Sequence, residues 1–254
     1  MMARFCGGKE PSQLLVNAEE FKQRCFIDEK SLFTSEEVWT IEHCNELIRF
    51  FVENPDAGDG DFFEKLKVQL EGASLKAKLL IAEMLWLMFL CPSNTGPATK
   101  RANIERVVSW GGFTIAPKAL EQYLSDKALT GVGSSGTAFN TMRWRELAYL
   151  IRLTHELLQL NKAKRTELLQ RPGEFSSWLE RVPENESRQL RHMLLFLFFP
   201  DSHERIFGNT DRQRILVTLT AITKSQYNKM TCRDRDSKLL ELRQALEEEL
   251  EPKS

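Results

Sequence analysis

An unbroken apolar run lies between residues 193 and 199, Met-Leu-Leu-Phe-Leu-Phe-Phe. Such a run is typical of a helix buried on all sides or of a buried strand, and periodicity alone does not separate them. Pro183 upstream, followed at helical spacing by Arg188 and Arg191, favours a helix that starts at Pro183. Pro200 ends it, because proline lacks the N–H donor. The run is shorter than the roughly 20 apolar residues that cross a bilayer, so it predicts a central helix enclosed by others.

A second segment, Leu75 to Leu90, is apolar almost all round and follows a capping residue, Ser74, so it predicts a second central helix. Other helices are expected from Pro11-Ser12, from Thr34 or Ser35, from Asp61, and over Pro97 to Trp110, Pro117 to Leu124, Phe139 to Leu160, Arg165 to Gln170, Phe175 to Val182 and Ser237 to Glu251. Long alternation of period two and fixed repeats are both absent from the sequence. We therefore predict an all-α fold, an irregular bundle of about ten helices round two apolar central helices. Its subdomains, 1–130 and 131–254, are expected to pack as one unit.

Four stretches of the chain carry a family resemblance. They are Leu197-Phe198-Phe199-Pro200-Asp201 with Ile206-Phe207 and residues 211–217; Ala82 to Leu87 with Pro92-Ser93-Asn94 and Lys100; Gly131-Val132-Gly133 to Thr137 with Trp144-Arg145-Glu146-Leu147; and Leu239-Leu240 with Leu242, Arg243 and Leu246. Together they resemble the N-terminal regions of large prokaryotic AAA+ proteins of the McrB type, the nucleotide-driven motors of restriction and phage defence. The resemblance implies a non-catalytic sensor or target-recognition module that senses foreign or modified DNA, or another phage-derived signal. Its partners would be a AAA+ motor domain and a nuclease subunit, and since no Walker A or Walker B stretch occurs here, we expect the motor to lie outside this chain.

Composition and charge modify this picture. The chain is 42% hydrophobic and 28% charged, and its sixteen phenylalanines and five tryptophans are incompatible with overall disorder. The net charge of −1 argues against a uniformly basic nucleic-acid binder. Residues 139–235, however, hold 17 lysines and arginines against 11 acidic residues. An anionic partner would meet this region first, unless the charges only solvate the outer faces of long helices.

The predicted helix from Phe139 to Leu160 carries the principal nucleic-acid candidates. Arg145, Tyr149 and Arg152 are spaced to share one helix face, where the arginines would contact the backbone and the tyrosine a base. The alternative is that Arg145 and Arg152 pair with the neighbouring Glu146 and Glu156 or with other helices. The full candidate set is Arg143, Arg145, Tyr149, Arg152, Lys162, Lys164, Arg165, Arg205, Arg212 and Arg214.

A glycine-rich segment, Gly131-Val132-Gly133-Ser134-Ser135-Gly136, matches the spacing of a dinucleotide-binding loop. That function requires a preceding strand and a βαβ unit, whereas Leu120 to Leu129 favours a helix. No lysine follows Gly136, so the segment is not a P-loop. We interpret it as a flexible turn between helices, with a DNA phosphate at the start of the following helix as the alternative.

The sequence offers no catalytic constellation. The histidines His43, His155, His192 and His203 lack a partner at ligand spacing, so no metal is expected, and no cofactor is expected in this chain. Five unclustered cysteines and the absence of a signal peptide predict a cytoplasmic protein, with no membrane partner. We predict that this chain is not an enzyme. The alternative to DNA recognition is a helical protein-interaction module that recruits a partner subunit or phage protein through the faces of Pro11 to Phe51.

Overall fold

Helices form the regular structure of this chain. The computed structural model describes residues 12–55, 60–185 and 187–250, which contain no β-strand and only two isolated bridges. The helices are α1 (Ser12–Phe21, continued by a π-helical segment, Lys22–Ile27), α2 (Ile41–Leu47, continued by a π-helical segment, Ile48–Val52), α3 (Phe62–Gln69), α4 (Leu75–Leu90), α5 (Pro97–Trp110), α6 (Pro117–Tyr123), α7 (Asp126–Leu129), α8 (Gly136–Thr141), α9 (Arg143–Leu158), α10 (Lys162–Leu168), α11 (Pro172–Leu179), α12 (Gln189–Phe198), α13 (Asn209–Leu219), α14 (Lys224–Lys229) and α15 (Cys232–Leu250). The all-α prediction is confirmed. The described residues form fifteen α-helices instead of about ten, because several helices have only one or two turns.

Two helices are buried on all sides, as their sequences predict. Every side chain from Leu79 to Leu90 of α4 is buried, and α4 packs against α2, α5, α7 and α9. Every side chain from Leu190 to Phe198 of α12 is buried as well, against α1, α9 and α11. Burying one large aliphatic or aromatic side chain contributes about 1.5–3 kcal/mol, so these two helices supply much of the driving force for folding.

Several helices begin where their capping residues predict. Asp61 accepts a hydrogen bond from the Phe63 N–H at 3.1 Å, and Ser74 accepts one from the Ala77 N–H at 3.2 Å. Pro97 is the first residue of α5, where its missing N–H has no cost. Helix α1 is described from Ser12, while the predicted ends at Pro11 and Glu251 lie outside the described residues.

One main core includes residues from both sides of the predicted boundary after residue 130. It extends from Leu14 to Phe207 and contains both central helices. A smaller core, centred on Leu216, Tyr227 and Leu239, joins α13, α14 and α15. The boundary itself stays a prediction, since nothing in the packing marks it.

Two helix starts were predicted too early. Helix α2 begins after Thr40 rather than after Thr34 or Ser35, because residues 31–39 form a loop around a buried carboxylate, Glu83. Helix α12 begins at Gln189 rather than Pro183. Glu184 and Ser187 have φ values of 67° and 59°, and this left-handed backbone interrupts any helix that starts at Pro183.

Candidate nucleic-acid interface

The predicted helix from Phe139 to Leu160 is broken at Met142, and the break orients the candidate residues. Met142 has φ −114° and ψ 33°, which separates α8 from α9. In the first turn of α9, Trp144 and Arg145 face solvent. Tyr149 lies one turn further on and is fully buried, with its hydroxyl donating to the Leu179 carbonyl at 3.5 Å. The expectation that Tyr149 stacks on a base is therefore corrected, since its ring is part of the core.

Several other candidate cations are held by carboxylates, which is the alternative left open by the sequence. Their partners come from the first quarter of the chain instead of from Glu146 or Glu156. The pairs are Arg152 with Glu53 at 3.7 Å, Lys162 with Asp28 at 2.6 Å, and the buried Arg165 with Glu29. These ion pairs connect α9 and α10 to the residues that follow the π-helical continuations of α1 and α2.

Arg212 belongs to a buried ionic cluster rather than to a surface. Its guanidinium pairs with Asp236 of α15, which also lies 3.6 Å from Arg191 and accepts a hydrogen bond from the Ser176 hydroxyl at 3.2 Å. Burial raises the pKa of Asp236, but the neighbouring positive charges, of which that of Arg212 has the largest effect, together outweigh burial and hold that pKa below its usual range. Arg212 therefore joins helices and is not available to an external phosphate. Of the remaining candidates, Arg205 is half-buried, whereas Lys164 and Arg214 are exposed.

The start of α9 and the loop before α12 enclose a cationic groove of about 760 Å³. Its lining includes Trp144, Arg145, Arg181, Glu184 and Arg188. Arg145 and Arg181 are exposed, and the Arg145 guanidinium lies 5.4 Å from the centre of the Trp144 ring. Two exposed arginines and one exposed indole thus share this concave surface.

Glu146 fixes the two walls of this groove relative to each other. Its buried carboxylate accepts hydrogen bonds from the backbone N–H groups of Leu190, at 2.9 Å, and Gln189, at 3.3 Å, in the first turn of α12. Arg188 lies 3.7 Å from the same carboxylate. Burial raises the pKa of Glu146, while these donors favour its charged form. The groove therefore rests on a rigid junction between α9 and α12.

A second cavity, of about 630 Å³, is also lined by Trp144. This apolar cavity has Phe51, Phe62 and Ala148 in its wall, and the charged Lys65 and Arg143 also line it. The Arg143 guanidinium lies 5.3 Å from the Phe62 ring centre, and its buried Nε has no hydrogen-bond partner. Burial lowers the pKa of Arg143 from its ordinary value. Arg143 therefore faces this cavity and not the cationic groove.

The glycine-rich segment serves packing instead of forming an open phosphate loop. Gly131 has φ +79°, and a Cβ there would lie 2.2 Å from the Pro92 carbonyl oxygen. The Val132 N–H donates to the Cys91 carbonyl at 2.9 Å, and the Ser93 N–H donates to the Gly133 carbonyl at the same distance. The segment after it is the short helix α8, and the helix before it is α7, so a βαβ unit is not present here. Gly131 is explained by this close backbone approach, whereas a Cβ at Gly136 would meet nothing within 4 Å.

The sequence pointed to Arg145 as a nucleic-acid candidate but missed Arg181. Trp144 was named only in a stretch that carries the family resemblance and was not a site candidate. Arg181 follows α11, separated from Arg145 by more than thirty residues, and only the tertiary fold brings both to one groove. The signal that was available was the high positive charge of residues 139–235, without an indication of which cations would be exposed.

No known protein family, curated protein or solved structure matches this chain at a significant level. Among the described residues, no three His, Cys, Asp or Glu side chains are arranged to hold a metal ion. No helix in the described ranges combines the length and apolar character that a bilayer crossing requires.

Proposed function

We propose that this chain is a target-recognition module of a McrB-like AAA+ system and that it binds DNA across the cationic groove. The observation that carries the proposal is the placement of Arg145, Arg181 and Trp144 on one exposed concave surface. Arginine supplies charge and several hydrogen-bond donors to phosphate oxygens, and an indole supplies a stacking surface for a base. The resemblance to the McrB type supplies the context, in which a motor domain and a nuclease would act on the bound target.

The charges of the groove favour an anionic ligand. Arg145 and Arg181 lack a carboxylate partner among the described residues, whereas Arg152, Lys162 and Arg165 have one. Unneutralised cations attract a phosphate backbone and release its counterions, which makes binding sensitive to salt. Binding is therefore expected at the groove and not along the whole basic region.

Arg145 is expected to contribute a phosphate contact to DNA binding. We expect fluorescence anisotropy with labelled DNA, titrated at several salt concentrations, to show binding that weakens as salt rises. Arg145→Gln removes one phosphate contact, so it should lower affinity and reduce the slope of log K against log salt by about 0.7–0.9. Single-stranded, duplex and methylated duplex DNA should all be compared.

Arg49→Gln provides a matched control. Arg49 is exposed and lies 5.2 Å from the ring centre of its neighbour Phe50, so the substitution removes the same charge and the same kind of stacking outside the groove. Equal losses in the two variants would show a nonspecific effect of net charge and would contradict the proposal. An intact protein that binds no DNA at low salt would favour the protein-interaction alternative.

A further inference from the structure

The cationic groove and the apolar cavity share one wall, and this arrangement suggests a more specific ligand. Trp144 and Glu184 line both of them. One side therefore offers an apolar, aromatic volume and the other offers Arg145 and Arg181. We infer that the site takes an unpaired nucleotide within a strand, with its base in the apolar cavity against Trp144 and its phosphate at the two arginines. The inference rests on the proposed function and names the form of nucleic acid that the groove prefers.

The apolar cavity has the character of a small-ligand site. Its volume of about 630 Å³ lies within the range of roughly 300–1,000 Å³ that is usual for such sites. Phe51, Phe62 and Trp144 provide apolar and aromatic surface. Polar and charged residues make up about half of the lining: Lys65, Gln69, Asn140, Thr141, Arg143 and Glu184. A planar heterocycle with polar edges matches this combination, because its faces need apolar contact and its edges need donors and acceptors.

The base must be unpaired to enter. In a duplex both faces of a base are covered by stacked neighbours, and its Watson–Crick edge is occupied by its partner. A base in a single strand is released from pairing before it binds, and every base has a π-face that an indole can cover. The groove should therefore bind single strands more tightly than duplexes, with little dependence on sequence.

Glu184 allows a test in which the inference predicts an increase in affinity. Glu184 is exposed and lines the same groove as Arg145 and Arg181, although no ion pair joins it to either of them. A carboxylate at this position opposes a bound phosphate. Removing its charge should tighten binding, whereas removal of a charge from a site unrelated to the ligand should have no effect.

The experiment compares a short single-stranded oligothymidylate, the duplex that it forms with oligoadenylate, and thymidine monophosphate. Trp144→Leu keeps an apolar side chain but removes the ring, and we expect it to weaken single-strand binding about 10-fold and duplex binding less than about twofold. Trp144→Phe keeps an aromatic face and should retain most of the affinity.

The single strand should quench the tryptophan fluorescence of the wild-type protein but not that of Trp144→Phe. Because the Trp144 side chain is 46% exposed, both variants should fold, which circular dichroism checks.

Glu184→Gln should strengthen single-strand binding several-fold at low salt, whereas Glu105→Gln, an exposed position on α5, should not change it. Equal affinity for single strand and duplex, or equal weakening of both by Trp144→Leu, would overturn this inference and leave DNA recognition in place. Thymidine monophosphate that binds as tightly as the oligonucleotide would also overturn it and assign the site to a small ligand. Absence of binding to every probe would refute the proposed function itself.

Discussion

At the scale of single residues, Gly131 shows how a backbone contact determines an amino acid. The residue combines a positive φ with an approach to Pro92 that leaves no volume for a side chain. Gly112 has a similar φ of +69°, yet a Cβ there meets nothing within 4 Å. Substitution of Gly112 therefore measures the destabilisation caused by the backbone conformation alone, whereas substitution of Gly131 adds the destabilisation caused by a steric clash.

We predict that Gly131→Ala destabilises the fold far more than Gly112→Ala. The strained conformation alone costs about 1–2 kcal/mol and applies to both variants. At Gly131 the added carbon also overlaps the Pro92 carbonyl, so a total loss above about 3 kcal/mol is expected. Urea denaturation of both variants measures the difference. Similar losses would mean that residues 91–93 move away at little cost and that the contact is not restrictive.

At the scale of elements, Glu83 connects the central helix α4 to the loop before α2. The carboxylate is fully buried and accepts hydrogen bonds from the Ser31 hydroxyl, from the Phe33 N–H at 3.0 Å and from the Trp39 Nε1–H at 2.6 Å. Because these donors hold residues 31–39 in a loop, α2 begins only at Ile41. Helix α4 is thus both a hydrophobic core element and the support of an irregular segment.

Glu83→Gln is expected to destabilise the protein by about 2–3 kcal/mol. The amide NH₂ replaces one acceptor oxygen, so either Trp39 or Phe33 faces a donor instead of an acceptor. Glu53→Gln, which removes an exposed partner of Arg152, should cost less than about 1 kcal/mol. Chemical denaturation with tryptophan fluorescence checks both. A Glu83→Gln variant as stable as Glu53→Gln would show that the carboxylate network contributes little.

At the scale of the whole molecule, a buried ionic cluster joins α11, α12, α13 and α15. Asp236 lies among Arg191 and Arg212, and the buried His192 and His203 are packed beside them. Burial lowers the pKa of His203 to about 4, with the two arginines adding to it and Asp236 opposing it. Burial also lowers the pKa of His192 well below its ordinary value. The C-terminal helix is thus attached to the bundle through groups whose charge depends on pH.

We predict that stability falls as the pH decreases from about 6.5 towards 4. A histidine whose pKa is lowered by folding binds a proton more readily in the unfolded chain. Its contribution to the free energy of unfolding is therefore complete above the unfolded pKa and is lost as the pH falls from the unfolded pKa to the folded one. For His203 the lowering of the pKa to about 4 corresponds to roughly 3 kcal/mol. Asp236 acts in the same direction only at lower pH, because its pKa is lowered from 3.8 and its stabilisation is lost as the pH falls below that value. Glu83 and Glu146 act in the opposite direction, since burial raises their pKa values.

Thermal unfolding followed over this pH range measures the effect. His203→Gln cannot titrate, so its stability should fall less steeply than that of the wild type. Ser202→Ala removes the hydroxyl 3.1 Å from the His203 Nδ1 without removing a titrating group and should keep the wild-type slope. If the unfolding temperatures of His203→Gln and the wild type fell equally with decreasing pH, groups other than His203 would be responsible for the acid sensitivity.

The sequence by itself determined the helical class, the two buried helices and several helix starts. These features depend on local information: an apolar run that must be covered, as in α12, or a side chain such as Asp61 or Ser74 that caps its own helix. Only the tertiary structure decided that α2 starts late, that Tyr149 is buried and that Arg145 and Arg181 share a groove. The physical reason is that a charged or aromatic residue is compatible with both a helix surface and an interface. Its exposure and its partner are set by elements distant in sequence, here Glu83 for the α2 loop and the junction of α9 with α12 for the groove.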